Sequence, residues 1–508
     1  MTWPVARDIL PVDADSATLV GRAWTPAGPS VVVLRPEGVV DVTVHFPTMR
    51  ALTEHADPVA ALAAATGPVL GSLDDLVANT PPETRDRDLP WLLSPIDLHV
   101  VKACGVTFPI SMLERVIEER ARGDQDAAAG IRAEILATIG GSLDELRPGS
   151  AEAAALKAFL LERGWWSQYL EVGIGPDAEV FTKAPVLSTV GGSVDVGVHP
   201  ASQWNNPEPE IVLVVSSTGR IVGASLGNDV NLRDIEGRSA LLLGKAKDNN
   251  ASASVGPFIR LFDAGYGIDD LRASVVGLTI DGEDGTHLEG RSELARISRD
   301  PEDLVAQVVG AHHQYPDGFA LYLGTMFAPV DDRDVPGRGF THHDGDLVRI
   351  SEPRLGALVN RVRSTDEVEP WTFGIDALFR TLAARGLLHE GSGSVSGARP
   401  RVQRIASVIG MPAANREEYE RLHAAVWPKV LERLTLSNIR NYSIHRHGEV
   451  LFAYMEYVGD DYEADMAAIA ADPVTQEWWS VCEPLQRPFA ERAEGEWWME
   501  LPEVFHLD

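Results

Sequence analysis

Asn206-Pro-Glu-Pro-Glu210, Gly227-Asn-Asp-Val-Asn-Leu-Arg-Asp-Ile-Glu-Gly-Arg238 and Gly244-Lys-Ala-Lys-Asp-Asn-Asn250 follow one another within a single stretch of chain. Glu208 and Glu210 are two residues apart, so on a strand they project from one face. Between them and Asp229 lies Ile211–Leu226, which reads as a strand pair joined at Ser217-Thr-Gly219. Three carboxylates brought together repel one another unless a hard cation neutralises them. The stretch has no Cys or His, and oxygen-only ligation suits Mg2+, Mn2+ or Ca2+. The reading is a metal-dependent enzyme with Glu208, Glu210 and Asp229 as ligands.

The chain around this stretch has 508 residues, too many for one hydrophobic core. Hydrophobic residues make up 44% and charged residues 23%, proportions of an ordinary globular protein. A net charge of −31 would repel nucleic acid and anionic membrane surfaces, so neither is expected as a partner. No apolar run reaches the roughly twenty residues of a spanning helix. Asp8, Asp13 and Asp15 fall where a secretory signal would be apolar. Two distant cysteines, Cys104 and Cys482, fit a reducing cytoplasm and argue against a disulfide or zinc framework.

Residues 1–88 alternate short apolar runs with Gly and Pro and read as a small β-rich domain. Its strands are Ala17–Trp24 and Ser30–Arg35, with a turn at Pro26-Ala-Gly-Pro29. Residues 89–388 form the main domain. Helical spacing covers Ile110–Arg122 and Ala151–Gly164, short strands fill Glu179–Ser351, and a helix over Gly374–Arg385 closes it. Residues 389–400, rich in Gly and Ser, read as a linker. Residues 401–508 read strand-helix-strand-strand-helix-strand, a ferredoxin-like α+β pattern. Its first strand is Val402–Met411. Asn415 is expected to cap the helix that follows, with Glu418 completing a capping box. Pro428 falls inside the helical pattern and should bend it or remove a backbone bond. The Asp331-Asp-Arg-Asp334 run reads as a solvated loop. His342-His343 reads as surface, because adjacent residues diverge on a strand.

With these motifs in place, residues from about 95 to 388 resemble the fumarylacetoacetate hydrolase superfamily. Glu208-Pro-Glu210 is similar to its Glu-x-Glu, and Asn228-Asp-Val-Asn-Leu-Arg-Asp234 to its Asn-Asp-Val-Ser-Ala-Arg-Asp. Lys247 stands at its lysine position and Gly324-Thr325 at its Gly-Thr. The likeness is greater to the branch of 2-keto-3-deoxy-pentonate (xylonate or arabinonate) dehydratases. It is carried by Ala103-Cys-Gly-Val-Thr-Phe-Pro109, Trp166-Ser-Gln-Tyr-Leu-Glu-Val172, Ala178-Glu-Val-Phe-Thr-Lys-Ala184, His313-Gln-Tyr-Pro-Asp-Gly-Phe-Ala320 and Pro370-Trp-Thr-Phe-Gly374. The resemblance implies a β-rich core that binds Mg2+ and removes water to give 2,5-dioxopentanoate. Lys247 would be the base, with Lys245 and Lys183 as competitors, and Glu179 the acid. Thr325 and Arg233 would orient the substrate, although Arg233 could equally be a partner of Asp234 or Glu236. Many hydrolase members carry a Tyr-x-x-His where this chain has Phe108-Pro-Ile-Ser-Met-Leu-Glu114, and C–C hydrolases carry Gln at the Glu236 position. Both departures favour elimination over hydrolysis.

Residues 402–508 resemble the L-rhamnose mutarotase family of small dimeric α/β-barrel proteins. The matching pieces are Glu418-Tyr-Glu-Arg-Leu-His-Ala-Ala-Val-Trp-Pro428, Arg440-Asn-Tyr-Ser-Ile444, Leu451-Phe-Ala-Tyr454, Asp472-Pro-Val-Thr-Gln-Glu-Trp-Trp479 and Glu503-Val-Phe-His-Leu507. Tyr419 and His423 are four apart and share a helix face. His423 suits a proton shuttle between ring oxygen and anomeric hydroxyl. Tyr419 positions a hydroxyl, Trp478 or Trp479 offers a platform for a sugar face, and Asn441 and Tyr442 add hydrogen bonds.

The expectation is a bifunctional cytoplasmic enzyme, a lyase fused to an isomerase, acting on a sugar acid and an aldose. Both resembled families self-associate, which implies a homodimer or homotetramer. Two alternatives stay open: a hydrolase splitting a 2,4-diketo-3-deoxy acid to pyruvate, and a C-terminal domain that only dimerises.

Overall fold

The computed structural model describes residues 2–108, 116–117, 119–121, 147–162, 164, 166–327, 329, 332–334, 339–388, 402–459, 461–493 and 495–505. It divides into two compact units, Met1–Ser394 and Val395–Asp508. Most of the helix expected over Ile110–Arg122 and all of the linker 389–400 lie outside the described residues.

The strand Pro209–Val215 explains the first unit. It is an almost unbroken Ile/Val/Leu run, buried at every position. Such a run belongs to a strand covered on both faces rather than one. Ile211, Leu213 and Val215 enter one apolar core. Val212 and Val214 enter another, together with Val20, Val31 and Val33 from the N-terminal segment. Glu208 and Glu210 share the parity of Val212 and Val214, so they lie on that second side.

Among the described residues this strand sits inside an eleven-stranded sheet. The order is Val69–Gly71, Gly38–Asp41, Gly28–Arg35, Leu19–Thr25, Ala253–Leu261, Ile221–Asp229, Pro209–Val215, Phe319–Tyr322, Val100–Gly105 and Glu179–Ala184, with Trp91–Leu93 also pairing Leu19–Thr25. Segment 1–88 therefore puts its strands into the sheet that carries the acidic motif, through Leu19↔Arg260 and Val20↔Ile259. A second sheet orders His287–Glu293, Val275–Asp281, Leu347–Glu352, Gly356–Ser364 and Val194–Val198. Helices occur at Ala151–Glu162 and Ile375–Ala384, close to the spans read from periodicity.

The second unit is a four-stranded antiparallel sheet in the order Ile439–His447, Val450–Tyr457, Gln403–Gly410, Met499–Leu501. The helices Arg416–His423 and Pro428–Leu436 connect its first two strands in sequence, and Tyr462–Ala471 and Pro473–Cys482 its last two. This is the ferredoxin-like arrangement. The capping box at Asn415 does not form. Asn415 precedes the helix, but its amide donates to Leu485 O at 3.0 Å and Glu418 pairs with Arg421. A tertiary acceptor outcompetes the local cap. Pro428 does not bend a helix either; it starts a new one at the first helical position, where no N–H is required.

A candidate metal centre and a candidate histidine cleft

Register builds the first site. Gly227 pairs with Glu210 and Asn228 with Pro209, which sets Asp229 opposite Glu208. Opposed residues of an antiparallel pair share a face, and Glu210 lies two residues along it. Asp229 N donates to Glu208 O at 3.0 Å, and Glu208 N to Asn228 Oδ1 at 3.1 Å, which locks the corner. All three carboxylates are buried, with ligand oxygens within 4.8 Å of one another. Gly324 N donates to Glu210 Oε2 at 2.7 Å, and Thr325 Oγ1 to Glu210 Oε1 at 3.4 Å. Gly324 has φ +102°, and a Cβ there would lie 2.0 Å from Thr107 Oγ1, so only glycine allows this approach.

Two lysines enter the cluster. Lys247, at the end of the helix Leu243–Lys247, donates to Glu208 Oε2 and reaches Asp229 Oδ2 at 3.0 Å, over the Phe181 ring at 5.7 Å. Lys183, from the strand Glu179–Ala184, lies 2.8 Å from Asp229 Oδ1 and also donates to Lys247 O. Lys245 is remote from the cluster; it is exposed and meets His199 at 2.9 Å. Sequence reading thus ranked Lys183 only as a competitor, whereas the fold gathers it and Lys247 together. Burial pushes the Lys183 ammonium below the usual lysine range, against the pull of Asp229. Burial, then Asp229 and Glu208, push the Glu210 carboxyl well above its usual range. Three carboxylates outnumber two ammonium groups, and every donor atom is oxygen, so the residues present fit one hard divalent cation.

Glu179 stands opposite Gly105, with its carboxylate where a Gly105 Cβ would be. Burial, then Glu210 and Glu179, raise the thiol of Cys104 above its usual range. Arg233 is 2% exposed and stacks over Trp204 at 4.9 Å, while Asp234 accepts from Ser202 and Gln203. Two surface readings are corrected. His342 is buried and meets Asp346 at 3.2 Å, while His343 stays half-exposed beside Asp284 and Asp334. In the run expected to be solvated, Asp332 and Asp334 are exposed, but the Arg333 side chain is buried between Asp346 and Asp284. The Arg333–Asp284 pair spans 49 residues and has no local sequence signal, whereas Asp346 lies only four residues from His342.

The second unit holds a cleft of about 270 Å³ walled by Tyr419, His423, Ile444, His445, Arg446 and Leu451. Tyr419 and His423 stack at 4.0 Å between ring centroids. His423 Nδ1 lies 3.0 Å from Tyr419 O. A carbonyl only accepts, so Nδ1 carries the proton and Nε2 keeps its lone pair. Burial lowers the His423 basicity further, opposed by that backbone bond. Trp478 is buried and meets His423 edge-on at 5.4 Å, with Trp427 behind it at 5.3 Å; Trp479 points to the exposed side. Tyr442 is 43% exposed, and the Asn441 amide is committed to Glu456 Oε2 at 2.6 Å. Gln486, which sequence reading passed over, donates to Tyr419 Oη at 3.3 Å.

Fold and site together define a two-unit protein with a buried carboxylate triad fit for a hard cation in one unit and a ferredoxin-like histidine cleft in the other. Comparison with known proteins follows the same division. Residues 404–507 match the family model of L-rhamnose mutarotase. L-rhamnose mutarotase of Listeria monocytogenes serotype 4b is 32% identical over 108 residues, which cover 21% of this chain and 99% of that protein. The chain belongs, through these residues, to the L-rhamnose mutarotase family. Elsewhere the chain is similar to two dehydratases. It is 29% identical over 193 residues to 2-dehydro-3-deoxy-D-arabinonate dehydratase of Saccharolobus solfataricus, covering 37% of this chain and 60% of that protein. It is 30% identical over 194 residues to a probable 2-keto-3-deoxyxylonate dehydratase of Haloferax volcanii, covering 38% and 63%. The chain thus spans about three fifths of the length of these two relatives.

Proposed function

We propose that the first unit is a Mg2+-dependent dehydratase of a 2-keto-3-deoxy-pentonate and that the second is an aldose mutarotase. The buried triad of Glu208, Glu210 and Asp229, joined by two lysines, carries the first reading. The similarity to two sugar-acid dehydratases supports it. Glu208, Glu210 and Asp229 would hold the cation. When bound, it supplies Lewis acidity at a 2-keto acid's keto oxygen and so acidifies the C3 protons. Lys247 Nζ takes one of them. Glu179 gives a proton to the departing C4 hydroxyl. Water is thereby lost across C3–C4, a proton shift from C5 to C3 gives the C4=C5 enol, and transfer of the enol hydroxyl proton to C4 leaves the C5 aldehyde of 2,5-dioxopentanoate. Thr325 and Arg233 orient the substrate carboxylate.

In the second unit His423 Nε2 exchanges a proton with the sugar's anomeric hydroxyl, so that the ring opens and recloses on either face. Tyr419 hydrogen-bonds the sugar, Trp478 or Trp479 gives it an apolar platform, and Asn441 and Tyr442 line its approach. L-rhamnose, L-fucose and a pentose all fit this chemistry. The domain division 1–88, 89–388, 389–400 and 401–508, a homodimer or homotetramer and a cytoplasmic setting complete the reading. Two buried free cysteines support that setting. Among the described residues no helix is long and apolar enough to cross a membrane.

Incubation of the purified chain with 2-keto-3-deoxy-pentonate, with and without Mg2+, tests the first activity. Metal-dependent 2,5-dioxopentanoate is expected. Pyruvate would indicate cleavage instead, and no turnover would leave only binding. NMR exchange between sugar anomers tests the second activity.

A further inference from the structure

Gln486 sits behind Tyr419, outside the wall of the cleft, and its amide orientation is decided by its neighbours. Trp497 Nε1 approaches Gln486 Oε1 at 2.7 Å. An indole N–H only donates, so the atom facing it is the amide oxygen. The amide nitrogen is then the atom 3.3 Å from Tyr419 Oη, and there it donates. The backbone around Gln486 is pinned on three sides. Asn415 Nδ2 donates to Leu485 O at 3.0 Å, Gln486 N to Glu483 O at 3.0 Å, and Arg487 pairs with Gly410 through bonds of 2.7 and 3.0 Å. These bonds fix the backbone from which the side chain leaves, and the Trp497 bond fixes which end of the amide faces the tyrosine.

A phenol that accepts one hydrogen bond still has one proton to give. Among the described residues Tyr419 Oη meets no hydrogen-bond partner other than Gln486. Tyr419 lines the cleft beside His423. We infer that Gln486 is a positioning residue for mutarotation: its N–H holds Tyr419 Oη as an acceptor, so that the phenol proton is directed to a sugar oxygen in the cleft. The inference rests on reading that cleft as the mutarotation site. It gives the two side chains complementary polarities. Tyr419 donates to one sugar oxygen while His423 Nε2 accepts from another, as ring opening requires. Among the described residues, the titratable and charged groups around Tyr419 are Glu420 and His423 on its own helix, Cys482 from the helix Pro473–Cys482, and Tyr442, His445 and Arg446 from the strand Ile439–His447.

The test reverses the polarity of one atom. Gln486→Glu keeps the shape. Ionised, its carboxylate accepts from both Trp497 and Tyr419 and draws the phenol proton away from the sugar. Protonated, its O–H donates to Tyr419 as the amide did. Anomer exchange is measured by NMR on the full chain from pH 4 to 8, for wild type, Gln486→Glu, Gln486→Met and His423→Ala, with melting temperatures alongside. Loss of one hydrogen bond predicts a fall of about tenfold in kcat for Gln486→Met, flat with pH relative to wild type. For Gln486→Glu the same fall or more is expected near neutrality. The ratio of its rate to wild type should then climb as pH drops through the carboxyl's titration. A residue that only stabilises the fold would shift melting but leave that ratio flat. A flat ratio, or full activity in both Gln486 variants while His423→Ala is inactive, overturns the positioning role and leaves the site intact. Absence of exchange in wild type overturns both.

Discussion

Lys183 and Asp229 form an ion pair at 2.8 Å in which the lysine side chain is fully buried and the aspartate 1% exposed. They come from separate strands, and Asp229 offers its second oxygen to Lys247 at 3.0 Å. One carboxylate therefore ties both lysines to the acidic triad.

Removing Lys183 leaves Asp229 with half its compensation in a buried site. Lys183→Met should cost about 3–5 kcal/mol of stability in the first unit, measured by denaturant unfolding. Lys245→Met, at an exposed position, should stay within about 0.5 kcal/mol.

A divalent cation that binds only the folded triad must stabilise it. Mg2+ at a hundred times its dissociation constant should add about 2.7 kcal/mol to the first unit. Chelator should remove both that gain and the dehydration. Glu210→Gln deletes one anionic ligand and should leave melting insensitive to Mg2+. An unchanged metal response in that variant would dissolve the triad as a metal site.

The two proposed chemistries fall in separate units. His423→Ala should reduce anomer exchange by about 10²–10⁴-fold, the usual worth of a positioned proton carrier. Production of 2,5-dioxopentanoate by the same sample should match wild type.

The pH response of His423 has a fixed sign. Burial lowers its folded pKa, so protonation is easier in the unfolded chain. Its contribution to stability is full above the ordinary histidine value of about 6.5 and lost as pH falls through the lowered folded value. Anomer exchange should likewise hold level down to that lower value and then fall. His423→Gln should remove this acid limb from the melting curve of the second unit.

Asp472 caps the helix that carries Trp478. Its Oδ2 accepts from Thr475 N at 2.7 Å and Thr475 Oγ1 at 2.8 Å. Asp472→Ala should cost about 0.5–2 kcal/mol, read from thermal unfolding of the second unit.

The acidic motif was legible because its parts lie close in sequence and a strand's period of two is rigid: Glu208 and Glu210 had to share a face. The helices Ala151–Glu162 and Ile375–Ala384 were legible from local spacing. The capping box at Asn415 misled because Leu485, seventy residues away, supplies the acceptor that claims its side chain. The burial of the Arg333 side chain was invisible for the same reason, because Asp284 lies 49 residues away; His342 has its partner Asp346 only four residues on, and the surrounding fold decides that the pair is buried.

The sequence alone determined which chemistry this chain can hold: three oxygen ligands without Cys or His among them, and a tyrosine and histidine one helical turn apart. Only tertiary structure decided which lysines face the triad, which way Gln486 presents its amide to Tyr419, and that the strands of 1–88 enter the sheet of the metal centre. Those outcomes depend on sheet register and on contacts between distant segments. Local propensity carries no information about them, because their energy exists only once the chain has closed on itself.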